Sequence, residues 1–554
     1  MSARSLVVGL DGADVDRIRA LGPSRLPVLS GLMARGAWAR LRSVLPPATL
    51  PNWTTFLTGV DPGAHGVFDF TVRRGAKVAF AGGTVREAPT IAARLDRLGQ
   101  RCLVLGFPAT WPPERLAHGV FVSGWDSPVA FEADRSFVWP PALHRTIRLR
   151  FGAEALGFDD ADEFADRPGW HEELGDRLVR RIERRTELGR WLLADRAWDL
   201  AMIYFGESDT AAHHLWAHDD PASPRHPGTD GRDGLGRTYE ALDRAIGRLA
   251  EAAGDGVELT ILSDHGSGGA SDEVLYLNRA LAEAGLLRFR ESGQRAEWAA
   301  GLKDRALRTL GPRARERLFR FAGRALPGWL ESRARFSAID FSRTRVFSDE
   351  LNYFPALHVN LVGREPGGTV RREELGSLRA ELEAFAAALV DPWRGERVIT
   401  RVRAREELYA GPFVERAPDF LLELATPRGY SWNLLPSASG PPGTGPFRRL
   451  GPEEHLGRKG RSLPGSHRPR GLLVLAGPGV RAAGEIDARI ADVTATVLLR
   501  LGVRPDTALA GRVLREALVG IGETGPELPA AEVPRGTGDL SRTESRLRAL
   551  GYVD

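Results

Sequence analysis

Along its first half the chain alternates between short unbroken apolar runs and longer stretches with a 3.6-residue period. "SLVVGL" (5–10) is such a run, closed by the turn-like "DGAD", and has the form of a strand buried on both faces. "APTIAARLDRLGQRCLVLGFPATWPP" (88–113) predicts helix, turn and strand. "WHEELGDRLVRRIERRTELGRWLLADRAWDLAMIYFGESD" (170–209) predicts a long amphipathic helix and then a buried strand. "GRTYEALDRAIGRLAEAAGDGVELTILSDHG" (236–266) repeats that order. Such alternation predicts an α/β fold, a largely parallel sheet flanked by helices.

The pattern changes near residue 281. Up to about 345 the text is Arg-rich and helical, as in "RARERLFRFAGRALPGWL" (313–330). Strand-like text returns at "RVFSDELNYFPALHVNLVG" (345–363) and "APDFLLEL" (417–424), followed by a Gly/Pro/Ser-rich loop (436–471), the strand "GLLVLAGPGV" and the helix "DVTATVLLRLG". The expected organisation is a core of 1–280 plus 346–520, a helical insertion or cap at 281–345, and a polar, loosely packed tail at 521–554. No repeat of solenoid period occurs.

Composition adds constraints. The 554 residues are 42% hydrophobic and 27% charged, with a formal charge of +4, too small to argue for a nucleic-acid polymer as partner. Lysine occurs only at 77, 303 and 459, so the basic character is arginine. One cysteine, Cys102, excludes an internal disulfide and a cysteine zinc cluster. No apolar run reaches membrane-span length and no signal-peptide core opens the chain. The reading is a cytoplasmic protein without a transmembrane segment.

Chemistry enters at three strand ends. Asp11 follows "LVVGL", Asp209 follows "LAMIYFGES", and Asp264 follows "ELTILS". In a parallel sheet the crevice beyond the C-terminal strand ends is where sites assemble. His213 lies four residues after Asp209, on the same helical face, and His265 directly follows Asp264. Carboxylate oxygen with imidazole nitrogen suits Zn²⁺ first and Mn²⁺ second. A reacting group is offered by "PPATLPNWTTFLTGV" (46–60). Pro51 suits a first helical turn, and Thr49 is expected near the N-cap, where the helix favours an anion. A zinc ion on Asp11, Asp264 and His265 would activate that hydroxyl; otherwise Thr49 is only a cap.

At these residues the chain resembles the alkaline phosphatase superfamily, and within it the type I phosphodiesterase/nucleotide pyrophosphatase branch and its bacterial predicted phosphohydrolase/phosphomutase group. The motifs are "GLDGAD", "TLPNWTTFLTGVDPGAHGV", "GESDTAAHHLW", "SDHG" and "GSHRP…GLLVLAGPGV". The resemblance implies an alkaline-phosphatase-like core and two divalent ions. One would be held by Asp11, Thr49, Asp264 and His265, the other by Asp209, His213 and His467, with His455 as a rival to His467 from the same loop. It implies Thr49 as nucleophile, with Thr54, Thr55, Thr58 and His65 structural and His214 packing beside the site.

One position departs from the pattern. The relatives' phosphate-contacting asparagine is replaced by Phe70 in "HGVFDF", so Asn52 or backbone N–H groups near Thr49 would have to supply that donor. Trp53 and Tyr353 are expected to shape the leaving-group side. The implied activity is a two-metal phosphodiesterase acting on a small phosphoester through phospho-threonine. The alternatives are a phosphomonoesterase, a phosphoryl or head-group transferase, and a non-enzymatic lipid-surface module using the Arg-rich helix. Neither oligomeric state nor natural substrate is encoded in these motifs.

Overall fold

The computed structural model describes the chain apart from residues 1–3, 75–76, 82, 125–134, 153–154, 157–168, 229–232, 291–335, 337, 351–353, 442, 456–461, 521–524 and 530–554. Nine strands form one sheet. In chain order they are β1 (Ser5–Leu10), β2 (Ala37–Arg42), β3 (Cys102–Leu105), β4 (Val120–Val122), β5 (Val138–Trp139), β6 (Leu200–Phe205), β7 (Glu258–Leu262), β8 (Arg470–Ala476) and β9 (Gly484–Glu485). Their spatial order is β9-β2-β8-β7-β1-β6-β3-β4-β5. The central run β7-β1-β6-β3-β4 is parallel throughout, while β8 enters antiparallel between β2 and β7.

The apolar runs become central strands because both faces need cover. Leu6, Val8 and Leu10 of β1 join one apolar cluster and Val7 joins another; Ala201, Ile203 and Phe205 of β6 divide in the same way from Leu200, Met202 and Tyr204. This is the two-residue alternation of a strand, with apolar residues on both sides. Three helices cover the first face. The amphipathic α2 (Trp170–Asp195), the largely buried α3 (Glu207–Asp219) and the amphipathic α4 (Gly234–Ala253) supply Leu178, Ile182, Leu215, Leu242 and Leu249. The other face is covered by α1 (Thr49–Thr58) and α5 (Ile490–Arg500), through Trp53, Phe56, Val493 and Val497.

Within the 346–520 part of the expected core, residues 346–424 do not extend this sheet. They build a second, antiparallel sheet from Val346–Phe347, Ala356–Val359, Phe420–Leu424 and Ile399–Ala404. With the helix Leu375–Ala388 it encloses its own cluster around Phe347, Leu357, Leu382 and Leu422. Alternation identifies a strand but not the sheet it joins.

Of the insertion at 281–345, the described part holds the end of the helix Leu277–Glu283 and a bridge between Phe289 and Ile339. The helix expected at 313–330 lies outside the described residues, and with it the feature that suggested a lipid-surface module. In the tail, 525–529 is not loose: Leu528 is buried in the second core cluster and the Pro529 carbonyl accepts from Arg94. No described helix is long and apolar enough to cross a membrane.

Candidate metal centre and nucleophile

The chain crosses the C-terminal edge of the sheet repeatedly, and each crossing leaves one part of the site. Asp11 directly follows β1, and its backbone N–H donates to the Phe205 carbonyl at the end of β6 (2.8 Å). Asp264 and His265 follow β7 after one residue, Ser263. Asp209 and His213 lie on α3, which starts where β6 stops. His467 comes from a short strand, Gly465–Arg468, paired antiparallel with Gly266–Leu275. Gly12 permits the convergence: at φ +62° it turns the chain, and a Cβ there would stand 2.9 Å from the Asp209 carboxylate.

Six side chains form two ligand groups, Asp11/Asp264/His265 and Asp209/His213/His467, with the ligand atoms of each group within 4.8 Å of one another. In the first, His265 Nε2 stands 3.4 Å from Asp11 Oδ1 and 3.2 Å from Asp264 Oδ2. In the second, Asp209 Oδ1 stands 3.3 Å from His213 Nε2 and 3.5 Å from His467 Nε2. The groups touch through His265 and His467, whose rings stack at 3.7 Å. Asp209 keeps 20% of its side-chain surface exposed, whereas Asp11, Asp264 and His265 keep 2% or less. Solvent therefore meets the centre on the Asp209 side.

Hydrogen bonding fixes which atoms are available. The Nδ1 atoms of His213, His265 and His467 lie 3.0, 3.0 and 2.8 Å from the carbonyls of Gly465, Gly266 and Pro47. A carbonyl only accepts, so each Nδ1 carries a proton and each ring turns its Nε2 into the centre. The Nε2 atoms of His213 and His467 then face each other at 2.9 Å. Asp209 Oδ1 and Asp264 Oδ2 are buried without a hydrogen-bond donor. Lone pairs converging without protons are costly to bury, and a divalent cation in each group removes that cost. The donor set fits the ions that the sequence implies.

Two of the three carboxylates, Asp11 and Asp264, are divided between anchoring and an inward-facing oxygen. Asp11 Oδ2 accepts from Trp53 Nε1 (3.0 Å) and the Tyr204 hydroxyl (2.5 Å), leaving Oδ1 toward His265. Asp264 Oδ1 accepts from the Gly12 N–H (3.2 Å), leaving Oδ2. Burial, and then the charge on Asp209, push Asp11 up to about 8; burial and Asp11 push Asp264 well above the carboxylate range. Burial lowers His265 to about 4, and burial with His265 nearby lowers His467 well below the usual imidazole value. Burial alone would raise Asp209, but His213 and His467 beside it hold it lower. Without cations, burial favours the protonated form of Asp11 and Asp264 and the neutral form of His265 and His467, while Asp209 stays ionised.

Thr49 is not the N-cap. Ala48 holds that position with no side-chain bond, and Thr49 is the first helical residue. Its hydroxyl is therefore spared from capping and stands 3.5 Å from Asp11 Oδ1 and 3.4 Å from His265 Nε2.

The substrate-side expectations fare differently. Asn52 is fully buried: its amide N–H₂ donates to the carbonyls of Val44, Pro46 and Ala48, and its oxygen accepts from the Val44 N–H. It braces the loop before Thr49 and has no donor left for a substrate. Trp53 is likewise fully buried, lying edge-on to Phe107 and Tyr204 and anchoring Asp11, so it does not line a leaving-group pocket. Phe70 packs half-buried against the cluster of Leu50, Val67, Ala81 and Ala109. Tyr353 lies outside the described residues.

Among the histidines, His455 contributes a carbonyl to Arg225 and is in neither ligand group. His214 packs on Trp170, and His65 pairs with Thr55. Sequence reading missed Tyr204. Its signal was a single hydroxyl within an otherwise apolar strand, which needs a buried partner.

Comparison with known proteins comes to bear on this geometry. The family described as Type I phosphodiesterase / nucleotide pyrophosphatase matches residues 5–431. No curated protein sequence matches the chain. Among solved structures, murine ectonucleotide pyrophosphatase / phosphodiesterase 5 is similar at 13% identity, covering 93% of this chain and 100% of its own, with a TM-score of 0.48. Phosphonoacetate hydrolase from Sinorhizobium meliloti 1021 is similar at 16% identity, covering 90% and 96%, with a TM-score of 0.49.

Proposed function

The chain belongs to the type I phosphodiesterase/nucleotide pyrophosphatase family of metal-dependent phosphoester hydrolases, and from that premise we propose that it cleaves a small phosphodiester with Thr49 as nucleophile. The observation that carries this reading is the position of the Thr49 hydroxyl, free of capping duty and within 3.5 Å of both Asp11 and His265. Zn²⁺ or Mn²⁺ bound by the two groups would lower the pKa of a coordinated hydroxyl and neutralise charge on the phosphoryl oxygens.

The chain's own residues supply the rest. Thr49 Oγ1 forms the new P–O bond as one ester alcohol departs with the hydroxyl proton, leaving a phospho-threonine that still carries the other ester group, and water then cleaves its Thr49 Oγ1–P bond to release a phosphomonoester and restore Thr49. The N–H groups of Thr49 and Leu50 open α1 without an intrahelical acceptor, and they take the phosphoryl-oxygen contact that Phe70 and the committed Asn52 cannot make. Trp53 and Tyr204 orient Asp11, and the three backbone carbonyls hold the histidine rings with Nε2 inward.

The test compares hydrolysis of bis-p-nitrophenyl phosphate and p-nitrophenyl phosphate with added Zn²⁺ or Mn²⁺, for wild type and Thr49→Ala. Faster diester cleavage, abolished in Thr49→Ala, is the expected result. Faster monoester cleavage moves the substrate class to phosphomonoesters. A Thr49→Ala variant at wild-type rate refutes the nucleophile.

A further inference from the structure

The loop that delivers Thr49 has no regular structure of its own, so its shape is set by what binds its carbonyls. All five carbonyls from Val44 to Ala48 accept hydrogen bonds. Asn52 Nδ2 donates to those of Val44, Pro46 and Ala48, and His467 Nδ1 to that of Pro47. Both donors belong to the core. The fifth carbonyl, Leu45, accepts from the Tyr409 hydroxyl at 2.7 Å, and Tyr409 belongs to the second lobe, just after its short helix Arg405–Leu408.

We propose that Tyr409 is a positioning residue through which the second lobe sets the placement of the nucleophile. The phenol is buried, packs edge-on against Phe68 with centroids 5.1 Å apart, and has its hydroxyl directed at a carbonyl four residues before Thr49. Beyond the far end of α1 the same segment is fastened again: the Ala410 N–H donates to Asp61 Oδ1 (2.9 Å) and the Phe413 N–H to the Gly63 carbonyl (2.8 Å). The lobe therefore grips the chain on both sides of the nucleophile helix. At the forward grip, one hydroxyl makes the side-chain bond. A lobe that shifts with an occupant would move the Leu45 carbonyl, and with it the start of α1. Small displacements of a reacting atom cost rate steeply.

The inference rests on Thr49 being the nucleophile, so the experiment includes Thr49→Ala. Tyr409→Phe keeps the ring against Phe68 and removes only the hydroxyl. With the metal-loaded full chain and bis-p-nitrophenyl phosphate, kcat is expected to fall about tenfold, with KM, bound metal per chain and melting temperature close to wild type. Arg416→Ala is the docking control, since it breaks a lobe-to-core ion pair with Glu87 away from the loop, and its kcat is expected to stay at the wild-type value. Wild-type kcat in Tyr409→Phe, with Thr49→Ala inactive, overturns the role of Tyr409 alone. An equal loss of kcat in Arg416→Ala also overturns it, because docking in general would then be the cause. An active Thr49→Ala overturns the nucleophile reading and this inference together.

Discussion

Removing the Tyr204 hydroxyl tests whether anchoring Asp11 tunes the metal centre. The substitution is Tyr204→Phe, which keeps the ring against Trp53 and Phe107 and opens no cavity. It deletes one donor, 2.5 Å from Asp11 Oδ2, and leaves Trp53 Nε1 at 3.0 Å as the remaining one. A hydrogen bond to a charged group contributes about 1.5–3 kcal/mol, and a tenfold change in an equilibrium constant corresponds to about 1.4 kcal/mol. Asp11 must be ionised to ligate a cation, whereas burial holds it up to about 8 without one. The lost hydrogen bond therefore weighs mainly on the metal-bound state. The expected result is a loss of metal affinity of about 10- to 100-fold, with the unfolding free energy of the metal-free protein changed by less than about 1 kcal/mol. Competition with a chromophoric chelator gives the affinity, and denaturant unfolding in excess chelator gives the stability. Unchanged affinity would refute the anchoring argument. A metal-free protein destabilised as much as the metal-bound form would show that Tyr204 acts on the fold instead.

Two further predictions follow from buried charge. Asp11 has a folded-state pKa raised above its unfolded value, so its contribution to stability is complete below about pH 4 and is lost as pH rises through about 8. His265 and His65 are lowered by burial to about 4 and about 3, so their contributions rise with pH and are complete above about 6.5. Between pH 6.5 and 8 the carboxylates alone act, and thermal scans of chelated protein should show the melting temperature falling across that window. Asp11→Asn should flatten the fall, and a steady rise would contradict the assignment. Separately, Arg500 is buried and ion-paired with Glu258, with further bonds to Thr260 and the Ala476 carbonyl. Glu258→Ala leaves that guanidinium uncompensated and should cost about 3–5 kcal/mol in denaturant unfolding. Metal stoichiometry should be unchanged, and a loss under 1 kcal/mol would show that the remaining acceptors suffice.

Strands β1, β3, β6, β7 and β8 were legible in the sequence because a strand covered on both faces must be apolar along its length, as β1 and β6 are; the short or half-polar β2, β4, β5 and β9 were not. Five of the six candidate ligands were legible for a related reason: polar groups placed just after such runs, or on the helix that follows, fall at the sheet's C-terminal edge, whereas His467, on a short strand before an apolar run, was implied only by the family resemblance. Thr49 could be singled out as the candidate nucleophile, but its exact helical position could not, because Ala48 takes the cap without any side-chain bond. Asn52 and Trp53 were misread as facing the substrate because local sequence does not say which way a helix turns its polar atoms.

What the sequence determined by itself is the chemistry on offer: a carboxylate after each of three strands, His213 and His265 beside two of them, a threonine at a helix start, and the parallel sheet that gathers them. Local period and residue type encode those directly. Tertiary structure alone decided the supporting contacts, in which Tyr204 and Trp53 hold Asp11, the Pro47 carbonyl orients His467, and Tyr409 reaches Leu45 from a second sheet. These pairs lie 42 to 420 residues apart along the chain. Hydrogen bonding over such separations depends on how the lobes pack, and packing is a property of the whole chain rather than of any segment.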